Sequence, residues 1–566
     1  MGPATERELT VADDVGAAIA TEGVRNAFGV LGSGNLVVTN ALRRAGVTFH
    51  HARHEGGAVC MADGYARVTG EVGICSVHQG PGLTNTLTGL TEAAKSRTPM
   101  LVLSGEAPAA ALTSNFRIAQ DDLVEAVGAG CDRIFTAASA GADAIRAHRR
   151  AQLERRPIVL MLPIDTQAQA AAGENGGVGR AAPTAPIPSP PIPDPPMPPP
   201  AAISATTNLL AAARHPVIIA GRGAVLSDAR EPIERLAALT GALLATSAPA
   251  NGLFTGLPFA LGISGGFASP HAAELLTQAD LVILFGASGN HWTTRHGELI
   301  ARGAPVVQID VEPAAIGRHL AVDAGLVGDA AETARALCDE LCRRGHNNVG
   351  FRTPELAAAV VAGRWPHVPY DDEGHDGWID PRTLSIELER RLPADRAVAV
   401  DSGHSLGYPA MYLSVPDARA WVFPNGFQAV GLGLGNAIGA AVANPERVTV
   451  AALGDGGAFM ALAEIETAVR LGHRLVIVVY DDSAYGAEVH HFAPLGHDVD
   501  AVRFPDSDLA AIGRAAGAEG VTVRAVPDLA ALDDWLDRAP LRPLVLDAKV
   551  NPAVCAEWLA EAFRGG

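Results

Sequence analysis

Residues 448–486 read VTVAALGDGGAFMALAEIETAVRLGHRLVIVVYDDSAYG, and the order of elements in this stretch decides the fold. Val448–Leu453 is a continuous apolar run of strand length, broken by Gly454-Asp455-Gly456. Phe459, Leu462, Ile465 and Val469 then recur at helical spacing, which predicts one helix packing back on a sheet. A second apolar run, Leu475–Tyr480, leads into Asp481-Asp482-Ser483-Ala484-Tyr485-Gly486. Strand, turn, helix and strand in this order make a parallel unit. Both acidic turns should therefore emerge at the carboxyl ends of strands, where open α/β sheets bind ligands.

The same rhythm runs through the rest of the chain. Gly73–Val77 and Met100–Ser104 read as strands around a helical run Leu83–Lys95. Pro216–Ala220, Leu281–Phe285 and Pro305–Ile309 alternate with alanine-rich helical stretches, and Ala397–Val400 and Leu544–Asp547 flank the opening stretch. Strands apolar throughout, without alternation, belong to parallel sheets covered on both faces. From Pro183 to Pro200, eleven of eighteen residues are proline, which neither a helix interior nor a central strand accepts. Residues 181–202 are thus expected to be an extended spacer, and 346–377, where the apolar rhythm lapses, a second linker. The expected fold is α/β: three doubly wound parallel-sheet domains at 8–180, 203–345 and 378–560.

The net charge of −19 argues against binding nucleic acid or an anionic membrane surface. An anionic cofactor stays compatible, since one metal ion and a few backbone N–H groups reverse the sign locally. Lys95 and Lys549 are the only lysines, to which no mechanistic weight attaches at this point. Cys338 and Cys342 lie one helical turn apart without a second pair at zinc spacing, so the cysteines read as reduced thiols. There is no apolar signal core at the start and no run of about 18 apolar residues, so a cytoplasmic protein is expected.

Glycines 454, 456 and 457 let backbone N–H groups approach a phosphate, and Mg²⁺ takes few protein oxygens alongside phosphate and water. Asp455, Asp482 and the Ala484 carbonyl suit that need as metal ligands. The stretch resembles the diphosphate-binding signature of thiamine-diphosphate enzymes, a GDG followed about 30 residues later by an asparagine-containing turn. This chain departs in one place, with Asp482 where the family usually has asparagine. HARHEGGAVCMADGYARVTG at 51–70 and SVHQGPGLTNTLTGL at 76–90 are similar to the pyrimidine-binding domain of the same enzymes. The resemblance makes Glu55 the carboxylate that exchanges a proton with the aminopyrimidine ring, as a catalytic acid/base. It places Pro81 and Asn85 beside the cofactor. PNGFQAVGLGLGNAIGA at 424–440 resembles the loop that bends the cofactor, with Val430 as the wedge and the Gln428 carbonyl on the exocyclic amine. Ser402, Gly403, His404 and Ser405, and then Gly454, Gly456, Gly457, Tyr485 and Gly486, fall where relatives hold the diphosphate.

The three-domain layout is similar to acetohydroxyacid synthase, pyruvate oxidase, benzoylformate decarboxylase and pyruvate decarboxylase. Ser33 in VLGSGN and His78 match the serine and catalytic histidine of benzoylformate decarboxylase, while GPGLTN looks more like acetohydroxyacid synthase. Glu488 falls where pyruvate decarboxylase carries an essential glutamate. His491 falls where the synthase has a tryptophan for its second substrate. Ser33, His78, Gln79, His490 and His491 are the expected substrate contacts, and His78 and Glu488 the catalytic groups beside Glu55. The resemblance implies decarboxylation of a 2-oxo acid with transfer to a second carbonyl compound, closely balanced against simple decarboxylation. A flavin (FAD) held by the middle block near IIAGRGAV (218–225), as in an oxidase, and a non-catalytic relic are weaker alternatives. It also implies a homodimer or homotetramer with active sites between subunits.

Overall fold

A computed structural model describes residues 8–172, 194–375 and 377–564. It contains three six-stranded sheets, each wholly parallel. The first comprises β1 (Asn26–Gly29), β2 (Thr48–His51), β3 (Gly73–Val77), β4 (Met100–Glu106), β5 (Gly130–Arg133) and β6 (Pro157–Pro163), in the order β2-β1-β3-β4-β6-β5. The second comprises β7 (Pro216–Ala220), β8 (Leu243–Thr246), β9 (Ala260–Ile263), β10 (Leu281–Phe285), β11 (Val306–Asp310) and β12 (Ala324–Val327), in the order β12-β11-β10-β7-β8-β9. The third comprises β13 (Arg396–Val400), β14 (Trp421–Val422), β15 (Val448–Gly454), β16 (Leu475–Asp481), β17 (Glu519–Val523) and β18 (Leu544–Lys549), in the order β14-β13-β15-β16-β18-β17.

In the third sheet β15 and β16 are direct neighbours, with Gly454 paired to Tyr480. The two acidic turns therefore leave the sheet side by side. The single helix expected between them is instead two, Asp455–Met460 and Glu464–Leu471. Ile465 is buried and Leu462 and Val469 pack on the core, but Phe459 sits in the first, separate helix and is exposed. The helical run Leu83–Lys95 is likewise broken, into Pro81–Thr84 and Leu87–Lys95.

The proline-rich spacer lies largely outside the described residues. Its last three residues belong to the helix Pro200–Ala212, whose N1 position tolerates proline because that N–H has no partner in a helix. The linker expected at 346–377 is not structureless either. It holds a helix, Pro354–Ala362, capped by Thr353, and Trp365, whose indole N–H donates to the Phe267 carbonyl.

The first and third domains share one core, in which Met61 and Leu90 meet Leu434 and Ile438. Its seam is the crossing of helices Glu55–Thr69 and Gly433–Ala443. A Cβ at Gly64 would lie 2.1 Å from the Asn436 carbonyl oxygen, and one at Gly439 2.0 Å from that of Met61. Only glycine allows the backbones this close. Glu55 is the first residue of the former helix, so this seam fixes it relative to the third sheet.

Candidate active site

Three segments at the carboxyl edge of the third sheet enclose a cavity of about 230 Å³. Ser402, Gly403, His404 and Ser405 follow β13, Gly454, Asp455, Gly456 and Gly457 follow β15, and Asp482, Ala484, Tyr485, Gly486 and Glu488 follow β16. Val430 reaches in from the loop before Gly433–Ala443, and Met460, Tyr480 and Ala487 complete the wall without having been expected from sequence. Asp455 is buried, and burial together with the carboxylates of Asp482 and Asp481 pushes its pKa up to about 8. Carboxylates brought this close together out of water favour a cation between them. Two glycines are dictated by this crowding. A Cβ on Gly457 would meet Asp401 Oδ2 at 2.1 Å, and one on Gly486 would meet Asp482 Oδ2 at 2.2 Å.

Buried charge, which the sequence reading passed over, holds the cavity's loops. Asp401 accepts the backbone N–H groups of Ser402, Gly431, Leu432 and Gly433 at 2.9–3.3 Å, and burial pushes it up to about 6. Glu92 accepts the N–H groups of Gly426 and Phe427 at 3.1 and 2.7 Å and pairs with the buried Arg67. The loop that carries Gln428 and Val430 is thereby clamped at both ends. Gln428 has φ 62°, and its carbonyl accepts from the Ser402 hydroxyl at 3.3 Å, which leaves one lone pair free. Behind the second acidic turn, Lys549 is 1% exposed and lies 2.6 Å from Asp481, 2.7 Å from Asp506 and 3.2 Å from Asp547. Asp481 in turn accepts the N–H and hydroxyl of Ser483, whose φ is 54°.

The first domain presents a second group of polar side chains. Asn85 donates to Glu55 at 2.9 Å, and Ser33 lies 3.2 Å from His78 Nε2. His78 Nδ1 is 2.7 Å from the Gln79 carbonyl, an acceptor only, so Nδ1 carries the proton and Nε2 offers a lone pair to the Ser33 hydroxyl. His78 and Glu55 flank Gly82, which begins the turn next to Pro81. Glu464, buried in the third domain, accepts the N–H groups of Arg53 and His54 at 3.3 and 2.9 Å and so steadies the start of the Glu55 helix.

Some expected contacts lie elsewhere. Gln79 is buried, with its amide against Gly34 and Gly105. His491 stacks on Phe563 at 3.8 Å, and His490 packs on His404 at 4.6 Å, so neither lines the cavity. Burial and the neighbouring His404 hold His490 down to about 4. In the middle sheet the strand order reverses between β7 and β10, and backbone fills that crevice. Gly223 N–H donates to the Gly286 carbonyl at 3.0 Å, and a Cβ on Gly221 would lie 2.3 Å from the same oxygen.

Sequence models of the thiamine pyrophosphate enzyme family match the chain in all three domains. The N-terminal TPP-binding domain matches at residues 9–126, the central domain at 203–337 and the C-terminal TPP-binding domain at 401–548. The chain belongs to the thiamine pyrophosphate enzymes. Among relatives of this family, the chain is similar to a sulfoacetaldehyde acetyltransferase of Alcaligenes xylosoxydans, at 28% identity over 90% of this chain and 87% of the relative. A putative acetolactate synthase large subunit of Mycobacterium tuberculosis is 29% identical, over 96% and 98%. A probable 2-ketoarginine decarboxylase of Pseudomonas aeruginosa is 29% identical, over 93% and 91%. A thiamine diphosphate-dependent 4-hydroxybenzoylformate decarboxylase of Rhodococcus jostii has the same fold, with a TM-score of 0.80 at 20% identity over 96% and 99%. No helix among the described residues is long and apolar enough to cross a membrane.

The cavity fits the cofactor this family is named for. Asp455, Asp482 and Ala484 line the cavity, and two carboxylates with a backbone carbonyl would suit a hard divalent cation. The glycine backbone at 454, 456 and 457 and the Ser402 and Ser405 hydroxyls surround the space beside it, as a diphosphate requires.

Proposed function

We propose that this thiamine pyrophosphate enzyme decarboxylates a 2-oxo acid, and that the Ser33–His78 pair completes the reaction by returning a proton to the substrate. The observation that carries this reading is the fixed tautomer of His78, whose Nε2 faces Ser33 while Nδ1–H is tied to a backbone carbonyl. An imidazole oriented from behind is arranged to take and give a proton at one atom.

In this reading Asp455, Asp482 and the Ala484 carbonyl hold Mg²⁺. Ser402–Ser405, the 454–457 glycine turn and Tyr485-Gly486 bind the diphosphate. Val430 wedges between the cofactor rings, and the second lone pair of the Gln428 carbonyl accepts the exocyclic amine. Bound thiamine diphosphate supplies the carbon nucleophile and the electron sink for loss of CO₂. Glu55, oriented by Asn85 and seated by Glu464, exchanges a proton with the aminopyrimidine ring nitrogen. Before CO₂ leaves, Ser33 would orient the substrate carboxylate; afterwards His78, protonated at Nε2 from solvent, would return that proton to the carbon that lost CO₂. Glu488 enters from the third domain at the rim of the cavity.

Neither Glu55 nor His78 lines the cavity within one chain, whose first and third domains are locked by the glycine crossing. Exposed Leu36, Val37 and Phe116 near the first half-site, and Phe459 and Met460 near the second, support closure by a second copy. The working unit is a homodimer or homotetramer. The second reading, capture by another carbonyl compound, is favoured by the likeness to an acetolactate synthase over nearly the whole of both chains.

The test is CO₂ release from a panel of 2-oxo acids with thiamine diphosphate and Mg²⁺, with and without aldehyde or 2-oxo acid acceptors, products identified by mass. Release with an aldehyde product, slowed at least about 100-fold in His78→Ala, is expected. Product formed only with an acceptor would replace this reading by carboligation. No release from any donor would refute both.

A further inference from the structure

The wall behind the diphosphate cavity holds a cluster of three side chains, of which the proposed chemistry uses only His404, on the diphosphate side. His404 follows β13, His490 lies on the helix Gly486–Phe492, and Cys555 lies in the segment after β18. One ligand atom from each comes within 4.8 Å of the others. The three are distant in sequence, so the fold alone brings them together.

His490 Nε2 is buried with no hydrogen-bond partner. His404 Nε2 accepts the Ala556 N–H at 2.9 Å, so it carries a lone pair, and it faces the residue next to Cys555. The proton of His404 is then on Nδ1, 3.6 Å from Asp482 Oδ2. A carboxylate behind the distal N–H of a histidine is the usual outer support of a ligating imidazole. Cys555 is exposed, which gives an ion its route in, and Sγ makes only a 3.7 Å contact with the Ala556 carbonyl.

We propose that His404, His490 and Cys555 form a second metal site, for Zn²⁺ or an ion of similar softness, separate from the all-oxygen Mg²⁺ site. Two imidazoles and a thiolate select a borderline ion over Mg²⁺. The fourth position is left to water. Ligand atoms on one tetrahedral zinc lie roughly 3.3–3.8 Å apart, so binding draws the cluster in by about 1 Å and releases the Ala556 N–H. The inference does not rest on the proposed reaction, and its test needs no turnover.

The test is titration of the full-length, tag-free, metal-stripped protein with Co²⁺, without thiamine diphosphate or Mg²⁺, followed by absorption. One equivalent is expected to give thiolate-to-cobalt charge transfer and tetrahedral ligand-field bands, both removed by Zn²⁺. Cys555→Ser is expected to abolish the charge transfer, His490→Gln to weaken binding at least about 10-fold, and Cys342→Ser, an exposed thiol elsewhere, to change neither. Cobalt bound by oxygen at Asp455 and Asp482 would show no thiolate band. Absence of the band, or its survival in Cys555→Ser, overturns the proposal. Cys555→Ser alters one exposed atom, and circular dichroism matching the parent confirms that a lost band is not lost folding.

Discussion

Replacing Lys549 by methionine removes the one cation shared by three aspartates behind the second acidic turn. Asp481 and Asp547 are buried, 1% and 0% exposed, so neither carboxylate can turn to water when the ammonium is gone. Breaking a buried ion pair from one side costs about 3–5 kcal/mol. For a domain of this size that corresponds to a fall of roughly 6–20 °C in the melting transition of the third domain. The pH dependence follows from the sign of the shift. Burial already raises Asp547 even beside Lys549. Without the cation, Asp547 has a folded pKa still further above its unfolded value. The folded state then takes up protons that the unfolded state does not. The deficit of Lys549→Met is therefore full at pH 8 and shrinks towards pH 5. A second readout tests position as distinct from stability. Asp481 holds the Ser483 N–H, so its displacement moves Asp482 and Ala484, and the Mg²⁺ concentration for half-maximal activation should rise at least about 10-fold. Asp506→Asn is the control. Its side chain is 52% exposed and touches Lys549 without touching the turn, so about 0–1 kcal/mol and an unchanged Mg²⁺ requirement are expected. Calorimetry and metal titration of both variants make the comparison. A Lys549→Met protein within 1 kcal/mol of the parent and with its Mg²⁺ requirement would refute the reasoning.

Three further variants carry expected outcomes. Asp401→Asn keeps the shape but points an amide N–H₂ at Gly431, so thiamine diphosphate affinity by calorimetric titration should fall at least about 10-fold. Because burial raises Asp401 to about 6, folded above unfolded, its ionisation lowers stability as pH rises from about 4 to 6. Cofactor affinity should decline below about pH 6, where the neutral carboxyl accepts the four N–H groups less strongly, and Asp401→Asn should lack that decline. Gly457→Ala drives a methyl into Asp401 and should abolish cofactor binding while secondary structure by circular dichroism is retained. Glu464→Gln weakens the hold on Arg53 and His54, costing about 1–3 kcal/mol by chemical denaturation, with a lower kcat and little change in KM.

The strands were legible because parallel strands buried on both faces are written as unbroken apolar runs. Gly73–Val77, Pro216–Ala220 and Leu281–Phe285 begin and end where the sequence breaks them. The helix after the GDG turn was misread because Phe459 continues the periodicity of Ile465 and Val469 across a break at 461–463, and spacing alone does not register a change of axis. The cavity's lining was legible where glycine and aspartate sit at strand ends. Its supports were not. Asp401, Glu92, Glu464 and Lys549 act through backbone N–H groups or other carboxylates far away in sequence, and a single acid or base in an apolar stretch signals only that it must find a partner. That signal was present at Lys549, a lysine inside LVLDAKV in a chain with only one other.

Glu55 is rigidly placed by its own chain, through the Gly64–Asn436 and Gly439–Met61 contacts and through Glu464. Such close contacts leave no slack for a hinge that would carry Glu55 across to Asp455 of the same polypeptide. If the two groups act on one cofactor, they must come from two copies related by symmetry. Two inactive single-site variants then give a decisive mixture. Glu55→Gln and Asp455→Asn chains, unfolded and refolded together, should regain roughly a quarter of parental activity, because in half of the assembled dimers one of the two sites draws both intact residues. Recovery of none, with mixed dimers demonstrated by mass, would place Glu55 and Asp455 in the same chain's site and refute the two-copy arrangement.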